Sequence, residues 1–177
     1  MPGQNKAFRL KNSRAWSILT DINKDMIVYL GADHRGLNFK SAIAAFLKEK
    51  KYPIFDMGAY APEPEDDYPD MAAAVAAKIS EGPEDRRGVL ICGSGVGVCV
   101  TANKFPRVRA ALAMNVEQAM ASRSDDNANI LCLASDFISE SDALRITEAW
   151  LAADFSGAER HVRRLEKIAA LESQSRG

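Results

Sequence analysis

The chain has little that would anchor it in a membrane, staple it or steer it to a polyanion. No apolar run approaches the ~20 residues that a bilayer-spanning helix needs. Cysteine is scarce: three among 177 residues, an odd number without the C-x-x-C spacing of a metal site. That pattern excludes a disulfide framework and leaves reduced thiols in the cytoplasm as the expectation. Neither sign of charge dominates. Lysine plus arginine number 23 and aspartate plus glutamate 24, so no broad basic surface for nucleic acid or anionic lipid is expected. Internal repeats and low-complexity tracts are also lacking.

What is present is alternation. Residues 26–32 (MIVYLGA), 52–59 (YPIFDMGA), 88–92 (GVLIC), 109–114 (RAALAM) and 129–134 (NILCLA) read as short buried strands. Helical patterns lie between them. LNFKSAIAAFLKEKK puts Phe39, Ile43, Phe46 and Leu47 on one face, with its lysines expected on the other. MAAAVAAKIS, a helix begun by VCVTANK and one over about 115–124 follow. SESDALRITEAWLAA, with Ser139 and Asp142 as a capping pair, and AERHVRRLEKIAALE finish the chain. YAPEPEDDYPD, with three prolines and five acids, reads as an irregular loop. Residues 1–25 carry four basic residues before the first acid, Asp21, and lack the apolar core of a secretory signal. They are read as a flexible extension to a single domain over 26–177. Strands alternating with helices predict an α/β fold: a doubly wound, five-stranded parallel sheet, a Rossmann-like three-layer sandwich. Ligands of such sheets bind beyond the strands' carboxyl ends, where Asp33, His34 and Cys92 all fall.

The stretch GVLICGSGVGVCVTANK (88–104) carries the chemistry. Glycines 93, 95 and 97 let the backbone turn sharply and expose its N–H groups, and a helix start adds positive dipole. A dinucleotide fingerprint would need glycine at position 98 and a cysteine phosphatase loop would need arginine there, but Val98 occupies it. A Walker G-K-[ST] is absent. A loop that stabilises charge created during reaction remains. Amides beside a thiol favour thiolate, which can attack as a nucleophile or remove a proton next to a carbonyl. Read alone, Cys92 is more simply a small apolar residue at a buried strand end than a catalytic thiol, and Cys99 and Cys132 are assigned to the core.

GADHRG (31–36), DYPD (67–70), LICGSGVGVCVTANK (90–104) and RAAL (109–112) together closely resemble the ribose-5-phosphate isomerase B family, which includes the galactose-6-phosphate isomerase subunits. The resemblance runs from Met26 to about Leu171. It implies a sugar-phosphate aldose–ketose isomerase working through an enediolate, without metal or organic cofactor. By motif, Cys92 matches the family's proton-abstracting cysteine. The loop Gly93, Ser94, Gly95, Val96 and Gly97 matches the enediolate cradle. Asp33 and His34 match a pair that contacts sugar and phosphate, and Tyr68 a substrate-facing tyrosine. ERHVRRLEKI resembles a segment whose arginines grip the phosphate, implicating Arg160 and Arg164. The family's C-terminal helices are used in dimerisation, and its sites are shared between subunits of a homodimer or homotetramer.

The match breaks at two places. Where the family usually has a ring-opening histidine followed by asparagine, this chain has Asp125 and Asp126, and an arginine common after the fifth strand is replaced by Asp136. Asp125 is read either as a substitute acid or as part of a polar turn. A four- or six-carbon sugar phosphate, or a non-catalytic sugar-phosphate sensor, therefore stands as an alternative to ribose 5-phosphate isomerisation. A thiol hydrolase is disfavoured, because the second histidine, His161, lies on the C-terminal arginine helix rather than near Cys92.

Overall fold

The computed structural model describes residues 26–174. The extension expected over 1–25 lies outside the described residues. Among these residues five strands alternate with helices and a second helix closes the order: β1 (Ile27–Ala32), α1 (Leu37–Glu49), β2 (Ile54–Asp56), α2 (Tyr68–Glu81), β3 (Arg86–Cys92), α3 (Val96–Ala102), β4 (Ala110–Leu112), α4 (Val116–Asp126), β5 (Ile130–Ala134), α5 (Glu140–Ala152) and α6 (Glu159–Gln174). All four pairings are parallel and the strand order is β2-β1-β3-β5-β4. The expected doubly wound sheet is thus the fold, and among the described residues no helix is long and apolar enough to cross a membrane.

Strand alternation builds two cores. Val28, Leu30, Val89, Ile91, Leu131 and Leu133 face α1, α4 and α5, where Ile43, Leu47, Ile146 and Trp150 close the layer. Tyr29, Leu90, Cys92, Ile130 and Cys132 face α2 and α3, against Val75, Ile79 and Val98. The inner strands β3 and β5 are apolar on both faces, as a parallel sheet covered on both sides requires. The edge strands β2 and β4 are only three residues long, which leaves little unpaired edge.

Three local readings change. Lys40 does not join the solvated lysine face of α1; it is 2% exposed. Its ammonium donates to Asp56 Oδ1 at 2.6 Å and to the Gly58 and Ala59 carbonyls at 2.8 and 2.6 Å, so burial is compensated by three acceptors. Tyr68, Pro69 and Asp70 belong to the first turn of α2 rather than to the acidic loop, since proline near a helix start loses no needed N–H. α3 opens at Val96, inside the glycine stretch, on the left-handed Gly95 (φ 70°). The Ser139 cap forms as expected, its hydroxyl accepting the Asp142 N–H at 3.1 Å.

Candidate active site

The chain leaves β1 toward one sheet edge and returns to β3 on the other side of β1, so a crevice opens at the carboxyl ends of these two strands. β3 delivers Cys92 there. Its side chain is 4% exposed and packs on the second core, yet the sulfur turns toward the glycine loop and accepts the Gly95 N–H at 3.1 Å. Gly95 is required twice over: its φ is positive, and a Cβ would fall 2.5 Å from Leu112 Cδ1 and 3.0 Å from the Leu133 carbonyl. Ser94 and Val96 are exposed at the loop's outer edge, the Ser94 hydroxyl accepting the Val96 N–H at 3.3 Å. The amides of Gly97 and Val98, in the first turn of α3, have no acceptor within the helix. The thiol meets the loop at the Gly95 amide, one residue before α3 begins.

Tyr68 reaches this loop from α2. A Cβ on Gly97 would lie 2.6 Å from the tyrosine Cε2 and Cζ, so the absence of a side chain at 97 lets the ring rest on α3 while 41% of the residue stays exposed. Asp33 follows β1 and is 6% exposed. Its Oδ1 accepts the Arg35 and Gly36 N–H groups, both at 3.0 Å, which sets the turn into α1. His34 Nδ1 lies 2.6 Å from Asp66 Oδ1. A carboxylate only accepts, so Nδ1 carries the proton. The imidazole is 30% exposed and the Asp66 side chain 6%, with Asp66 Oδ2 buried and unpartnered.

Two residues here escaped the sequence reading. Asp66 was one acid of five in a loop, with nothing local to single it out. Arg35 stands inside the DHRG motif but beside better-known residue types. Its guanidinium forms an ion pair with Asp136, and the pair lies directly over Gly93: a Cβ there would meet Arg35 Nε at 2.7 Å and Asp136 Oδ2 at 2.8 Å.

Asp125, Asp126, Arg160 and Arg164 are elsewhere. α4 ends at Asp126, four residues before β5 begins, so these aspartates belong to the amino rim of the sheet. The Ser156 N–H donates to the Ser124 carbonyl at 3.0 Å, tying the start of α6 to the same rim. Arg160 Nε donates to His161 Nε2 at 3.0 Å, so that nitrogen is bare, and His161 Nδ1 donates to Ser156 Oγ at 2.8 Å. His161, 3% exposed, is a structural pin for α6, while Arg160 and Arg164 are exposed. Within one chain the predicted residues therefore form two groups on opposite rims.

On the carboxyl rim, a thiol lying against a glycine-loop amide at the start of a helix is suited to removing a proton from carbon and holding the oxyanion that results. Comparison with known proteins agrees with this chemistry. Residues 28–168 match the sequence profile of the family described as Ribose/Galactose Isomerase. A probable ribose-5-phosphate isomerase B of Mycoplasma genitalium is 41% identical over 148 residues, covering 84% of this chain and 97% of the relative. The ribose-5-phosphate isomerase B of Escherichia coli is 37% identical over 147 residues, covering 83% and 97%. The crystal structure of the M. genitalium enzyme with bound ribulose-5-phosphate superposes with a TM-score of 0.83 at 41% identity, over 85% of this chain and 98% of that one. The Clostridium thermocellum enzyme gives 0.81 at 41% identity, over 85% and 99%. With fold, loop and sequence in agreement over more than four-fifths of its length, the chain belongs to the Ribose/Galactose Isomerase family.

Proposed function

We propose that the chain interconverts ribose 5-phosphate and ribulose 5-phosphate, with Cys92 as the base. The observation that carries this reading is the Cys92 sulfur lying against the Gly95 amide at the carboxyl end of β3. Relatives named ribose-5-phosphate isomerase B, one of them holding ribulose-5-phosphate, support the choice of sugar. In the open-chain aldose, Cys92 thiolate takes the C2 proton, and the C–H electrons form a C1–C2 double bond while the C1 carbonyl oxygen becomes anionic. The loop amides around Gly93–Gly97 stabilise that oxygen. A proton passes from O2 to O1, and the Cys92 thiol protonates C1 to give the ketose. His34, Tyr68 and Ser94 border the same crevice and contact the sugar, while Asp33 holds the turn that presents His34.

A second copy completes the site. Asp125, Asp126, Arg160 and Arg164 lie on the rim opposite Cys92, so the ring-opening acid and the phosphate clamp come from a neighbour. α6 offers the surface for it: Val162, Ile168 and Leu171 are 38%, 49% and 66% exposed.

The test is a panel of four-, five- and six-carbon aldose phosphates with wild-type protein and Cys92→Ala. The expected result is highest kcat/KM for ribose 5-phosphate and a fall in kcat of about a thousandfold in the variant. Retention of kcat within tenfold in Cys92→Ala would remove the cysteine from the mechanism. Preference for another sugar would reassign the substrate.

A further inference from the structure

The Arg35–Asp136 pair is a charged cluster beside the thiol loop that the proposed mechanism leaves unused. The backbone that carries each partner is firmly placed. The Ser135 and Asp136 N–H groups donate to the Cys92 and Gly93 carbonyls, both at 3.0 Å, and the Ser135 hydroxyl donates to the Cys92 carbonyl at 3.2 Å. The loop after β5 is therefore bonded to the very residues that carry the thiol. Arg35 follows the capped turn at Asp33 and lays its guanidinium over Gly93, which has no Cβ to push it away.

Three features bear on what this pair does. The arginine side chain is 55% exposed and the aspartate 36%, so the ion pair is weakly held and its partner can be exchanged. A guanidinium presents a planar fork that suits two oxygens of a carboxylate or a phosphoryl group equally well. An unpaired Asp136 carboxylate, moreover, would oppose the anionic charge that the cradle is built to hold. We infer that Arg35 is a further substrate-binding residue, whose guanidinium joins the clamp supplied by the neighbouring copy on the phosphoryl group of the sugar phosphate, and that the Asp136 carboxylate stands in for a phosphoryl oxygen when no ligand is bound. This rests on the isomerase reading for the identity of the ligand, but the anion site itself can be tested without turnover.

The probe is inorganic phosphate, titrated calorimetrically into wild-type protein, Arg35→Gln, Asp136→Asn and the double variant, with the KM for ribulose 5-phosphate measured in parallel. Arg35→Gln is expected to raise both constants about tenfold, the loss of one charge-assisted contact. Asp136→Asn is expected to lower them several-fold by removing the competing anion. The deciding case is the double variant, whose local net charge equals that of the wild type. If Arg35 touches the phosphoryl group, the double variant stays about tenfold weak. If Arg35 only neutralises Asp136, the double variant returns to the wild-type value and the inference is overturned, as it is if wild-type protein binds no phosphate. A latch with no ligand role would make Arg35→Gln and Asp136→Asn fail alike, which also overturns it. Wild-type protein that binds phosphate through Arg35 yet turns over no sugar phosphate would instead defeat the isomerase reading and leave this one standing.

Discussion

Cys92 and Cys99, seven positions apart, show how strongly environment divides one residue type. Cys92 meets an amide at the crevice. Cys99 is half-buried on α3, its thiol brought down from 9.0 to about 7, first by a hydrogen bond from Cys132 and against the opposing effect of burial. Cys132, fully buried, is pushed up, chiefly by desolvation. The consequence for stability has a definite sign. Between about pH 7 and 9 the unfolded chain still holds the Cys99 proton that the folded chain has released, so stability rises with pH across that window. Above pH 9 the raised Cys132 acts the other way, because the folded chain then holds the extra proton. The difference in Tm between wild-type protein and Cys99→Ala should therefore stop changing with pH below about 7, and the variant should lack the rise from 7 to 9.

Among the elements, α1 has the most unexpected anatomy. A helix with apolar residues at 39, 43, 46 and 47 reads as a simple amphipathic surface helix, yet Lys40 crosses to the protected side. From there it ties the helix to the end of β2 and to the turn after it through Asp56, Gly58 and Ala59. Lys40→Met keeps the aliphatic bulk but leaves two carbonyls without their donor, so a loss of about 3 kcal/mol is expected, read as a lower urea midpoint at unchanged slope. The same segment leads into the loop carrying Asp66, whose carboxylate holds His34. Damage to α1 should thus weaken substrate binding as well as the fold.

At the scale of the molecule, the governing fact is that a parallel sheet has two unlike rims. Cys92, the glycine loop, His34 and Tyr68 occupy one, and Asp125, Arg160 and Arg164 the other. The proposed sharing of the site between two copies of the chain makes a direct prediction. Cys92→Ala and the double variant Arg160→Ala/Arg164→Ala should each be inactive alone. Mixed under conditions that exchange subunits, they should recover about a quarter of wild-type turnover, because half the dimers are mixed and each has one intact site. No recovery, despite verified mixed dimers, would mean that the arginines do not serve a neighbour's thiol.

Much of this molecule can be read along the chain, because the relevant physics is short-ranged. Buried parallel strands need continuous apolar runs, so β3 and β5 stand out, and an anion cradle needs glycines at close intervals beside the group it serves. Even the capping of α5 by Ser139 depends on residues three positions apart. The start of α3 at Val96 was less visible, since glycine and valine are poor helix formers and tertiary packing overrode them. What only the folded chain decided is which distant residues meet. His34 finds Asp66 32 positions away, and Arg35 finds Asp136 101 positions away. No local pattern encodes such pairs: they follow from strand order, which brings the end of β1 beside the end of β3 and the turn after β5 over both. Parallel strand direction sent Asp125 to the far rim, because a helix that links parallel strands must end where the next strand begins, and the Ser156–Ser124 bond holds the start of α6, with Arg160, beside it.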